Sequence, residues 1–178
     1  MQIRPDIFSD CVALLRQGCR VITEIPDDVF VATTSMSPRG SIGAHFRHVI
    51  DFYSCFLTGV GQHRIDYNQR ERSLSFERSR SLAIQKIEDI INRLEQMRLS
   101  ALTQHVLVST ENHSSWSRSS VLRELDFLLS HTVHHYSLIA MLLRIHEINP
   151  GDEFGVAPST LNHWKQDWHV HSDVAAST

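Results

Sequence analysis

In the run Ser130-His131-Thr132-Val133-His134-His135-Tyr136, two imidazoles stand four positions apart. On a helix, residues i and i+4 project from one face, near enough to share a metal ion. Spacing alone says little, because 12 histidines in 178 residues would place roughly 0.8 such pairs by chance. The company of this pair says more. Val121, Leu125, Leu128, His131, His135, Leu138, Leu142 and Ile145 recur at three-and-four spacing, which puts both imidazoles on an apolar stripe. Burial there is costly unless the rings find hydrogen bonds or a shared cation. An earlier segment repeats the arrangement, with His45, His48, Phe52 and Cys55 on one face.

A lone inward histidine ordinarily hydrogen-bonds a carbonyl or a carboxylate and does no chemistry. Three of them aimed inward from two helices favour a divalent cation, because facing helices are where bundles assemble metal sites. The expected ligands are His48, His131 and His135. Three imidazoles leave coordination positions open, as catalytic sites do, and an ion held this way lowers the pKa of a bound water or thiol. Neutral imidazoles suit Zn, Ni or Fe, and residue type does not choose among them. His45 and His134 read as structural, with His134 turned toward a neighbouring helix or a second subunit. Asp51 could orient His48 or simply be solvated, and Tyr136 reads as core. Thr132 stands where H-E-x-x-H carries its glutamate, which argues against a zincin-type protease. With no glycine-rich phosphate loop and no G-x-S-x-G, no catalytic residue is assigned.

The elements that must carry these residues follow from apolar periodicity. Helices are expected over 5–25, ended by Pro26, and over 41–60, with Ser41 as N-cap. Two more are expected over 76–102 and over 120–148, the last stopped by Asn149-Pro150-Gly151. The polar connection 62–75 would arch over one end, 104–109 allows a brief extended stretch, and no convincing strand pattern appears. The expected fold is all-α, a four-helix bundle formed by residues 1–150. Residues 151–178 would pack back on it as far as Trp164 and fray beyond about 169.

Composition narrows the function classes. A formal charge of -3 gives no footprint for nucleic acid or anionic membrane. Cys11, Cys19 and Cys55 form no disulfide framework, and neither a signal peptide nor a membrane span is evident, so a cytoplasmic protein is expected.

Two motifs resemble those of the DinB/YfiT-like superfamily of four-helix-bundle proteins, whose pattern is W-H-x-x-H in the second helix and H-x-x-x-H late in the bundle. Ala44-His45-Phe46-Arg47-His48 matches the first with Ala44 replacing the aromatic, and His131 to His135 matches the second. The resemblance implies that His48, His131 and His135 hold the metal. It also implies an activity among metal-dependent transferases that use low-molecular-weight thiols, thiol-dependent isomerases or related iron enzymes. The leading expectation is a metal-dependent transferase or hydrolase, in which a thiol or water attacks a small-molecule substrate, in a homodimer. The alternative is a non-catalytic, stress-related binding or scaffold protein with a structural or empty histidine site.

Overall fold

The computed structural model describes residues 7–35, 37, 40–97, 99–110, 113–157, 159–161 and 163–164. Along the chain run α1 (Ile7–Glu24), α2 (Asp27–Val31), α3 (Ile42–Gly59), β1 (Arg64–Asp66), α4 (Leu74–Arg78), α5 (Arg80–Glu95), β2 (His105–Thr110), β3 (His113–Ser120) and α6 (Val121–Ile145). The four long helices enclose the core, with α1 and α3 each packed against both α5 and α6.

Caps fix where the site-bearing helices begin. Ser41 Oγ accepts from Ala44 N at 3.0 Å, which satisfies one of the free N–H groups that open α3. Ser120 Oγ does the same for Arg123 N at 3.3 Å and sets the start of α6. Close approach then locks α6 in place. A Cβ at Gly18 of α1 would collide with the Tyr136 hydroxyl. Gly155, at φ +76°, brings the chain so close that a Cβ there would lie 2.7 Å from Ser137 N. Phe154 stacks on Tyr136 at 4.9 Å, and Gly155 O accepts from Ser137 Oγ at 2.7 Å, whereas Trp164 is exposed. The expected frayed tail lies outside the described residues.

The expectation of an all-α four-helix bundle is corrected by a three-stranded mixed sheet of order β1-β2-β3, parallel between β1 and β2 and antiparallel between β2 and β3. In β2, Val106 and Val108 are buried while His105 and Leu107 are exposed, the period-two alternation of a half-buried strand. Its neighbours give little such signal. β1 is three residues anchored by the fully buried Ile65, and β3 is polar throughout except for Trp116. Both owe their extension to pairing with β2.

The expected helix over 76–102 is also divided. Ser79 closes α4 through its N–H to Ser75 O at 3.0 Å, and its hydroxyl caps α5 at Leu82 N at 3.4 Å. Arg80, just inside α5, donates to Asp27 and to the carbonyls of Ile22 and Ile25, so a cation satisfies the C-terminus of α1.

Among the described residues, no helix is long and apolar enough to cross a membrane.

Candidate metal centre

Packing of α3 on α6 brings His48, His131 and His135 together. Their ring centroids are 4.5 Å apart for His48 and His135, 4.6 Å for His131 and His135, and 5.1 Å for His48 and His131. One ligand nitrogen from each ring falls within 4.8 Å of the others. Nitrogens sharing one tetrahedral ion at ~2.0–2.1 Å lie about 3.4 Å apart, so the separations are within about 1.4 Å of a shared coordination sphere. His131 Nε2 is buried and has no hydrogen-bond partner among the described residues. An orphaned imidazole nitrogen in such a place is costly unless something else binds it, and the donor set therefore fits a divalent cation.

The helix face differs from the expected one by a fraction of a turn. The fully buried stripe of α6 runs through Leu125, Leu128, Thr132, Tyr136, Ile139 and Leu143, while His131 and His135 sit on its margin, half-buried, and Ile145 is exposed. This margin makes the cluster reachable from solvent. Thr132, in the position of the zincin glutamate, is sealed in the core with its hydroxyl donating to Leu128 O at 2.7 Å.

His45, which reads as structural, lies against the cluster. Its Nδ1 lies 2.9 Å from His135 Nδ1, a contact that needs one donor and one acceptor. With His45 accepting, His135 carries its proton on Nδ1 and presents an Nε2 lone pair, the arrangement by which an outer partner orients a ligand imidazole. The sequence signal was the three-residue step from His45 to His48, which keeps both on one face of α3. His134 is exposed, with its ring edge-on to His135 at 5.3 Å. Asp51 is buried and accepts from Arg47 Nη1 at 2.9 Å, and Arg47 also binds Glu77 at 3.0 Å. The Asp51 carboxyl is pushed up by burial, against the pull of Arg47.

An aromatic wall flanks the imidazoles. Phe52 lies 4.8 Å from His48 and 4.5 Å from His131, and Phe127 stacks on His131 at 5.4 Å. Tyr67, just after β1, stacks on Phe52 at 5.0 Å and donates to the buried Glu124 of α6 at 3.0 Å. The sheet thereby delivers the connection 62–75 to this wall. Arg70, in the polar connection 62–75, is buried with its guanidinium 4.7 Å from the Phe52 ring centroid.

The electrostatics keep His45, His131 and His135 neutral. Burial first, then His134 and the Arg70 cation, lower His131 from 6.5 to about 4. Burial and the surrounding rings hold His135 far below 6.5, and burial with His134 lowers His45. Neutral imidazole is the metal-binding form. Burial pushes the thiols the other way, Cys55 and Cys19 to about 11 and Cys11 to about 12, so the chain's cysteines are protonated and poor nucleophiles.

The chain matches no protein-family model. A stretch of 107 residues, 57% of the chain, is 32% identical to FK506-binding protein 5 of Rhizopus delemar, and it spans only 28% of that protein's length.

Proposed function

We propose that the protein binds one divalent cation through His48, His131 and His135 and acts on a small molecule as a metal-dependent transferase or hydrolase. The observation that carries this reading is the convergence of three imidazole nitrogens within 4.8 Å at a half-buried place, one of them orphaned. The cation would supply a lowered pKa for a bound thiol or water. His48, His131 and His135 would hold it, His45 would orient His135, and the Phe52–Phe127 wall would exclude water from one flank. Because the chain's own cysteines are protonated, a thiol nucleophile would come from a small-molecule co-substrate. The resemblance of the two histidine motifs to the DinB/YfiT-like superfamily supports the same ligand set.

A second reading, a binding or scaffold protein with a structural ion, is favoured by one observation. A cavity of about 830 Å³ beside the sheet is not lined by any of the three histidines. Cobalt(II) titration followed by turnover assays with thiol and ester panels separates the two. Saturable binding of one ion per chain with turnover, both abolished by His48→Ala, supports the enzyme. Binding without turnover supports the scaffold with a structural ion, and failure to bind cobalt or zinc contradicts the enzyme and leaves a scaffold with an empty histidine site.

A further inference from the structure

We propose that the solvent face of the sheet is a second binding site, for a small organic anion that carries a carboxylate or phosphate ester on a flat apolar body. Strand register builds it. Leu107 in the middle strand pairs with Arg64 of β1 on one side and Arg118 of β3 on the other, so two guanidinium-bearing positions flank an exposed leucine roughly 10 Å apart at the backbone. Trp116, two residues before Arg118, shares that face, and the Arg64 guanidinium lies 4.2 Å from its ring centroid. Stacking holds Arg64 in place and leaves its fork of N–H donors for a ligand.

Arg64, Leu107 and Arg118 border a cavity of about 830 Å³, within the size range of small-molecule sites. Arg64, Arg118 and Arg123 line it together with His63, His105 and Leu107, and none of the described lining residues is acidic. In a chain of formal charge -3, that concentration of cations is not a sample of the average surface. Arg123 donates to Glu124 at 3.1 Å yet keeps a side chain 65% exposed. Ser119 and Ser120 also border the cavity where α6 begins, and the positive end of the helix dipole adds to the field. Arginine forks match carboxylate and phosphate geometry, while Leu107 offers an apolar floor and the exposed Trp116 ring backs Arg64. Arg123 stands eight residues before His131, about 12 Å along the helix, so this site does not depend on the metal reading.

Calorimetric titration of the full chain in EDTA at low ionic strength, with phenyl phosphate, benzoate and inorganic phosphate as probes, tests the proposal. At least one organic anion should bind at one site per chain, at least about tenfold more tightly than inorganic phosphate and more weakly in high salt. Preference for phenyl phosphate or for benzoate identifies the headgroup. Arg118→Glu and, separately, Leu107→Asp should each lower affinity by about tenfold or more. His131→Ala should leave it unchanged. Both positions on the sheet are exposed, and circular dichroism checks that the variants fold. The absence of saturable binding by either organic probe, or unchanged affinity in Arg118→Glu and Leu107→Asp, would overturn the proposal.

Discussion

The histidine cluster and the cavity beside the sheet both draw residues from α6 yet are built by opposite means. At the cluster, helix packing fixes four imidazoles at the margin of the core, where burial strips His45, His131 and His135 of charge and aromatic rings shield one flank. At the sheet, short strands display permanent cations toward solvent, with a single indole stacked among them. Neutral nitrogen donors in a desolvated place suit a cation. Fixed guanidinium groups around an open cavity suit an anion. Glu124 joins the two regions: its carboxylate accepts from Tyr67 at 3.0 Å and from Ser119 at 2.6 Å, which ties β1 and β3 to the helix that carries His131 and His135.

If the regions are chemically separate but mechanically joined, substitutions should sort accordingly. His48→Ala should lower zinc affinity by at least about 100-fold, more than loss of an outer partner does, and calorimetry should show anion binding at the sheet intact. Glu124→Ala should act on both regions through the fold, since it leaves the buried Tyr67 hydroxyl unpaired. Urea denaturation should record a loss of about 1–3 kcal/mol. His45→Ala should weaken zinc binding about tenfold without destabilising the fold, by freeing His135 to rotate. An unchanged zinc affinity in that variant would reduce His45 to packing.

The pH dependence separates the regions further. His131 and His135 titrate below 6.5 when folded and near 6.5 when unfolded. The unfolded chain therefore takes up protons first as pH falls. Stability of the EDTA-treated protein should be full above about pH 6.5 and decline as the pH drops toward 4, seen as a lower urea midpoint at about pH 5 than at about pH 7. The smallest effect is expected from Arg118→Glu, which should change stability by less than about 0.5 kcal/mol and leave zinc affinity unaltered.

What the sequence disclosed follows from which forces leave a periodic trace. α3 and α6 were legible because apolar residues recur along each and because Ser41 and Asn149-Pro150-Gly151 punctuate them. The convergence of His48, His131 and His135 was legible because the pair shares a helical face and His48 lies on an amphipathic partner. Of the sheet, only the extended stretch over 104–109, which forms most of β2, was legible; three residues of β1 and a polar β3 have no hydrophobic alternation to read and are held by hydrogen bonds to β2. The break at Ser79 was hidden for a related reason: a single serine that ends one helix and caps the next interrupts no apolar pattern. His45 and Arg70 acquire their places only once α3 crosses α6 and the 62–75 connection folds onto Phe52, and neither event is local in sequence.

The most direct test of the metal centre is elemental analysis of untagged protein purified without chelator, beside a variant carrying His131→Ala and His135→Ala. The account predicts close to one zinc, nickel or iron per chain in the parent and none in the variant. Metal-free parent protein that also fails to take up added zinc or nickel would contradict it, leaving the imidazoles as packing residues at the edge of the core.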